Sequence, residues 1–238
     1  MTFARYETKD YVWRLISTFK INFLKKFTCV LFDMDGVIID SEGLHKRAYF
    51  ETFASLGLRV SPELYQSLTG SSTINAFQKL VRHFNLRVDP QELVLQKRER
   101  YIKFFENDPN LQLVDGVEDL IKLLYQKGIR LVLASSSAMV NINRVFNRFD
   151  LDQYFSAKIS GADLVQSKPH PEIYEKAAQL GETAKEDCIV IEDSENGIKA
   201  AKAAGIFVFG YRNPLSANQD LSEADALLSH FRELEKYL

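Results

Sequence analysis

Cysteine is scarce in this chain: Cys29 and Cys188 are the two among 238 residues. Two thiols cannot build the network of bridges that holds small secreted domains. Both lie in apolar runs, so buried, reduced thiols in a cytoplasmic protein are expected. Tryptophan is single (Trp13) and prolines number 6. Repeats and low-complexity segments are missing, and the composition excludes fibrous and disordered classes. No uncharged apolar run reaches about 18 residues, so no membrane span is expected. A surplus of one charge sign is missing too: 30 Lys and Arg stand against 32 Asp and Glu, a net charge of −2. Nucleic-acid-binding domains are usually basic, so no nucleic-acid partner is expected. What is present is 46% hydrophobic and 26% charged residues, a globular balance. The length suits one large domain or two modest ones.

The charge is unevenly spread. Residues 1–26 hold six basic and two acidic side chains, a surplus of four positive charges. The remainder of the chain therefore carries a surplus of six negative charges. Val12, Leu15, Ile16, Phe19 and Phe23 recur at helical spacing. They predict an amphipathic N-terminal extension that docks on the domain, pairs with another copy or lies on a membrane surface. Arg14 and Lys20 interrupt the core that a signal peptide would need. Monomer and homodimer both stay open, and the apolar stripe near Trp13 is the candidate contact.

Short continuous apolar runs mark strands buried on both faces. They lie at residues 28–32 (TCVLF), 130–134 (RLVLA), 157–160 (AKIS), 188–191 (CIVI) and 206–209 (IFVF). Helical patterns at 117–125, 139–149, 171–180 and 197–204 separate them. This alternation predicts a doubly wound α/β fold with a Rossmann-like parallel sheet, whose ligands sit at the carboxyl ends of the strands. Residues 41–106 break the rhythm with helices and no convincing strand. Ser41 is the expected N-cap of a helix over 42–55, and Asp89-Pro90 opens another running through Lys97 and Tyr101. The block reads as an insertion into the α/β domain.

Polar residues collect where strands end. The first strand leads into Asp33-Met34-Asp35-Gly36, two carboxylates that must be solvated, paired or metal-bound. The second ends in Ser135-Ser136-Ser137, Lys168 follows the third, and the fourth ends in Glu192-Asp193. Each alone has a plainer reading: a surface turn, a loop start, a solvated lysine, a helix cap. His170 reads as a helix-start residue. Together they put carboxylates, a lysine and a hydroxyl where a doubly wound fold binds ligands. Carboxylate oxygens without imidazole or thiolate suit a hard cation, and Mg²⁺ is the usual one beside phosphate.

The segments FDMDGVIIDSE (32–42), LASSS (133–137), SKPHPEIY (167–174) and IEDSENGIKAAKAAG (191–205) resemble, in order and strand context, the four motifs of the haloacid dehalogenase (HAD) superfamily. The resemblance covers roughly residues 27–238. It points to the branch of phosphatases and β-phosphoglucomutases with a helical cap inserted after the first motif. It implies an HAD-like core over 27–40 and 107–238 and a cap over 41–106. It further implies Asp33 as nucleophile, forming an aspartyl-phosphate, and Asp35 as general acid and base. Mg²⁺ would be held by Asp33, the Asp35 carbonyl and Asp193, with Glu192 as a further ligand, direct or through water. Lys168 would bind the nucleophile and a phosphate oxygen. Ser135 and the backbone around Met34, Asp35 and Ser136 would hold the other oxygens.

Three functions are compatible with that resemblance. The first is a phosphatase acting on a small phosphorylated metabolite, with sugar phosphates the expected class. The second is a β-phosphoglucomutase-type mutase. Such mutases carry a Lys-Gly loop and an arginine in the cap. This chain has Thr69, Gly70, Ser71, Ser72 and Thr73 there, so the phosphatase is favoured. His45 matches a mutase position that assists the acid–base aspartate, but related phosphatases share it. Lys97 reads either as a substrate ligand or as a solvated lysine. The third is a non-catalytic binding module on the same scaffold, disfavoured because every core motif residue is intact.

Overall fold

The structure, a computed structural model, describes residues 27–68, 72–214 and 219–238. The expected N-terminal helix, and the candidates Thr69, Gly70 and Ser71, lie outside these residues.

Among the described residues six strands form one sheet: β1 (Cys29–Phe32), β2 (Arg130–Ser135), β3 (Ala157–Ser160), β4 (Cys188–Glu192), β5 (Phe207–Tyr211) and β6 (Ala226–Leu228). Their order is β3-β2-β1-β4-β5-β6, and all five pairings are parallel. The order reverses between β1 and β4, which is where a doubly wound sheet opens a crevice. Phe32 pairs with Leu133 on one side and with Ile191 on the other. That register brings the polar residues just beyond all three strands to one level.

Alternation along β1 sends Val30 and Phe32 into one apolar layer and Cys29 and Leu31 into the other. The first layer packs against α5 (Val117–Gln126) and α6 (Met139–Phe149). The second packs against α7 (Glu172–Leu180) and α8 (Glu195–Ala204). Helix α5 buries Val117, Leu120, Ile121 and Leu124, the spacing of one helical face. Cys29 and Cys188 lie opposite each other in the sheet, buried and free.

Between β1 and α5 stand α1 (Glu42–Ser55), α2 (Pro62–Gln66), α3 (Thr73–Phe84) and α4 (Pro90–Asn107). They have an apolar cluster of their own, built on Tyr49, Phe53, Tyr65, Phe77, Leu80 and Leu93. Asp89 caps α4 by accepting from Gln91 N, and Ser72 caps α3 by accepting from Asn75 N.

Two local expectations fail. Ser41 does not cap α1: its backbone is helical and its side chain makes no cap bond. The hydroxyl is drawn to Asp35 instead. The sixth strand was not anticipated. It has three residues at the sheet edge, too few for an apolar period to show. Among the described residues, no helix is long and apolar enough to cross a membrane.

Candidate active site

The first strand ends in a tight turn. The Met34 carbonyl accepts from Ile38 N (2.8 Å) and Ile39 N (3.0 Å), and Gly36 N donates to Ile39 O (2.9 Å). Buried Val37, Ile38 and Ile39 anchor the loop in the core. Gly36 sits at φ +88°, and a Cβ there would lie 2.1 Å from Asp193 Oδ2. Glycine is therefore required both by the backbone angle and by the approach of the β4 loop.

Lys168 is the hub of one half of the site. Its Nζ donates to Asp33 Oδ1 (2.6 Å), Glu192 Oε1 (2.7 Å) and the Ala134 carbonyl (3.0 Å). The carboxyl ends of β1, β2 and β4 thus meet on one ammonium. Burial disfavours the Lys168 charge, but Asp33 and Glu192 outweigh it and hold its pKa well above the lysine range. Burial pushes Asp33 well up, with Lys168 opposing and the charges of Glu192 and Asp193 adding to the rise.

Glu192 is wholly buried and saturated. Oε1 accepts from Lys168 and from the Tyr174 hydroxyl (2.8 Å). Oε2 accepts from Asp193 N (3.0 Å), Ser194 N (3.0 Å) and Ser194 Oγ (2.9 Å). Burial alone would raise its pKa; Lys168 and the other donors bring it below the usual value. Asp33, Glu192 and Asp193 each bring a carboxylate oxygen within 4.8 Å of the others. This all-oxygen donor set, without histidine or cysteine, fits a hard cation such as Mg²⁺.

Asp35 faces the helices. Oδ1 accepts from Ser41 Oγ (2.5 Å) and lies 3.2 Å from His45 Nε2, and Oδ2 accepts from Ser137 Oγ (2.8 Å). Burial would raise its pKa, but His45, Ser41 and Ser137 together hold it well below the carboxylate range. On the far side of the imidazole, Lys97 Nζ lies 2.7 Å from His45 Nδ1. His45 stacks on Tyr101 at 4.3 Å, and Lys97 lies 4.8 Å from the Tyr49 ring centre. Burial and the Lys97 charge lower the pKa of His45. Burial brings Lys97 down to about 8. Lys97 is 5% exposed, so the reading of a solvated lysine does not hold.

One cleft of about 720 Å³ gathers most of the expected residues: Asp33, Asp35, Ser136, Lys168 and Asp193 from the strand ends, His45, Ser72 and Lys97 from the helices. Met34, Ser135 and Glu192 are buried and are not among its lining residues. Ser135 Oγ accepts from Ser137 N (3.0 Å), bracing the loop after β2. His170 serves its helix start, accepting from Glu172 N (3.3 Å). Sequence reasoning assigned no role here to Ser41, Ser137, Tyr174 or Asn213. Asn213 donates to Gly36 O (3.1 Å). Ser41 looked like a cap and Tyr174 like an apolar helix position; Asn213 carries no local signal.

A family model described as haloacid dehalogenase-like hydrolase matches residues 30–211. Hexitol phosphatase B of Escherichia coli (strain K12) is 34% identical over 214 residues, spanning 88% of this chain and 95% of that protein. The β-phosphoglucomutase of Bacillus subtilis (strain 168) is 29% identical over 188 residues, spanning 76% and 81%. Among solved structures, CbbY from Rhodobacter sphaeroides in complex with phosphate superposes with a TM-score of 0.79 at 28% identity, covering 87% of this chain and 96% of that one. The matched span contains the DxDG turn, the serine loop, Lys168 and the Glu192-Asp193 pair, the four pieces that the sheet brings to one edge. The chain belongs to the haloacid dehalogenase-like hydrolase family.

Proposed function

We propose that the protein is a Mg²⁺-dependent phosphatase that hydrolyses a small phosphorylated metabolite, of the sugar-phosphate class, through an aspartyl-phosphate on Asp33. The observation that carries this reading is the Lys168 bridge. It fixes Asp33 Oδ1 at 2.6 Å and leaves Oδ2 without a hydrogen-bond partner among the described residues. A carboxylate held by one oxygen and open at the other is oriented for attack.

Asp33 Oδ2 attacks phosphorus, and the bond to the leaving alkoxide breaks. Asp35 gives that oxygen a proton. In the second step Asp35 takes a proton from water, which attacks the aspartyl-phosphate and releases inorganic phosphate with Asp33 restored. At rest Asp35 is ionised, so it must first gain a proton. An anionic phosphoryl group arriving beside it raises its pKa, and His45 Nε2 on Oδ1 is placed to pass the proton. Lys168 and the backbone N–H groups of Asp35 and Ser136, which line the cleft, hold phosphoryl oxygens, while buried Ser135 braces the loop that carries Ser136. Asp33, Asp193 and the Asp35 carbonyl would hold Mg²⁺, which when bound offsets the negative charge of nucleophile and phosphoryl group. Glu192, with both oxygens engaged, acts by holding Lys168 and the Asp193 backbone rather than as a direct ligand.

Residues 41–106, which hold helices α1 to α3 and all but the last residue of α4, are the cap over a core of 27–40 and 107–238, and they limit the cleft to small substrates. Ser72 is engaged in capping α3, which supports a phosphatase over a mutase that must hold a second phosphate there. The mutase stays as the second reading because Lys46 and Arg98 also line the cleft. The test is a panel of sugar phosphates, other phosphate monoesters and pyrophosphate, with Mg²⁺, for the wild type and Asp33→Asn. Phosphate release by the wild type alone is expected. Equal release by both proteins would remove Asp33 as nucleophile. Isomerisation of β-glucose 1-phosphate without phosphate release would favour the mutase.

A further inference from the structure

We propose that Asn213 is a positioning residue for the cation: its side-chain amide ties the Asp35–Gly36 turn to Asp193 and sets the spacing of the oxygens that hold Mg²⁺. This rests on the metal reading above. Asn213 lies beyond β5, outside the four motif segments, and is 7% exposed. A buried amide is costly unless its polar atoms are matched. Here Nδ2 donates to the Gly36 carbonyl at 3.1 Å and faces Asp193 Oδ2 at 3.5 Å, the outer limit of a hydrogen bond. Both partners are pure acceptors, and a side-chain NH₂ carries two protons to serve them.

The packing is close on all sides. A Cβ built on Gly36 would meet Asp193 Oδ2 at 2.1 Å and Asn213 Nδ2 at 3.0 Å. Turn, carboxylate and amide therefore occupy one crowded point, behind the backbone that offers the Asp35 carbonyl. The two segments that supply oxygens are far apart in sequence, and Asn213 reaches both from a third. Its own backbone is held by Asn213 N donating to Tyr211 O at 2.9 Å, directly after the strand. Carboxylates that hold metal are oriented by such outer hydrogen bonds, and removing one costs metal affinity.

The experiment reads binding directly on the full chain. Protein stripped of divalent ions is titrated with Mn²⁺ and the free ion followed by electron paramagnetic resonance. Thermal unfolding in EDTA runs alongside. Asn213→Ala is expected to weaken Mn²⁺ binding roughly 10- to 100-fold, and Arg212→Ala, an exposed neighbour, less than about twofold. Asn213→Ser, whose short hydroxyl cannot span both acceptors, is the second variant and is expected to weaken binding as well. Wild-type affinity in either folded Asn213 variant, even with a lower melting temperature in EDTA, overturns the proposal and leaves the metal reading standing. Failure of the wild type to bind Mn²⁺ overturns both.

Discussion

Glu192→Gln keeps the shape of a buried side chain and removes its charge, and the structure says what that costs. The glutamate accepts five hydrogen bonds and donates none. A glutamine must turn its NH₂ either towards Lys168 and Tyr174 or towards Asp193 N, Ser194 N and Ser194 Oγ. Towards Lys168 and Tyr174 the ammonium contact becomes donor–donor, because the Tyr174 hydroxyl can turn to accept; towards the other three, both backbone N–H contacts do. Bonds to charged groups contribute about 1.5–3 kcal/mol each, and breaking a buried ion pair costs about 3–5 kcal/mol. Lys168 keeps Asp33 as a partner, and one like charge beside Asp33 and Asp193 disappears, which offsets part of the loss. The expected destabilisation is about 3–4 kcal/mol, a large share of the 5–15 kcal/mol typical of a folded protein. Urea unfolding in EDTA should show it as a fall of roughly 1–2 M in midpoint. EDTA matters, because it separates two roles. An anchor is missed whether or not metal is present. A direct ligand with spare acceptor capacity would be missed only when metal is added. A variant that unfolds in EDTA within about 0.3 M of the wild type would refute the saturated-anchor reasoning. Tyr174→Phe removes one of the five donors and should cost about 1 kcal/mol in the same assay.

Gly36→Ala places a Cβ where Asp193 Oδ2 now sits, on a backbone at φ +88°. Loss of more than about 2 kcal/mol in urea unfolding is expected, together with weakened Mn²⁺ binding; a neutral variant would mean that the turn is not tight. Ser137→Ala removes a donor that holds Asp35 below the carboxylate range. The acid limb of the phosphate-release profile should move to higher pH, and an unmoved limb would dissociate Ser137 from Asp35. Lys97 is lowered by burial from 10.5 to about 8. Between those values the unfolded chain holds more protons than the folded one, so this group adds stability as pH rises. The wild type should gain roughly 2–3 kcal/mol over Lys97→Met between pH 8 and 10 in urea unfolding; parallel curves would refute the burial argument. Burial raises Asp33, so its ionisation in the metal-free fold is disfavoured and its contribution to stability falls as pH rises past the unfolded value. Mg²⁺ should therefore raise the melting temperature more at pH 7 than at pH 5, and an equal shift at both would argue against Asp33 as a ligand.

The parts of this fold that were legible in the sequence are the parts set by neighbours along the chain. Strands β1 and β4 are unbroken apolar runs because both faces are covered, and each ends where its first carboxylates begin. Helix α5 announces itself by spacing and by its Gly128 stop. Strand β6 offers three residues, of which the central one is exposed, and so no period. The same division runs through the site. Asp33, Asp35, Glu192 and Asp193 stand out because carboxylates at a buried strand end demand a partner; Lys168, well past the end of β3, reads alone as a solvated lysine and stands out only through the motif resemblance.

Their partners do not stand out, because a hydroxyl or an amide has an ordinary local use. Ser41 before a helix is a cap by every local rule. It becomes a donor to Asp35 only because the turn after β1 folds back towards it. Glu192 is the sharper case. Read along the chain, it is one of two acids at a strand end, and the motif resemblance implies it as a further cation ligand beside Asp193, direct or through water. In space its acceptors are filled from three directions: by Lys168 from 24 residues away, by Tyr174 from 18, and by the start of its own helix. Asp193, one residue on, faces Asn213 and the bare backbone of Gly36. Two adjacent carboxylates thus stand in different surroundings: Glu192 holds the lysine, while Asp193 packs against the Gly36 turn and, in the proposed function, is the one offered to the cation.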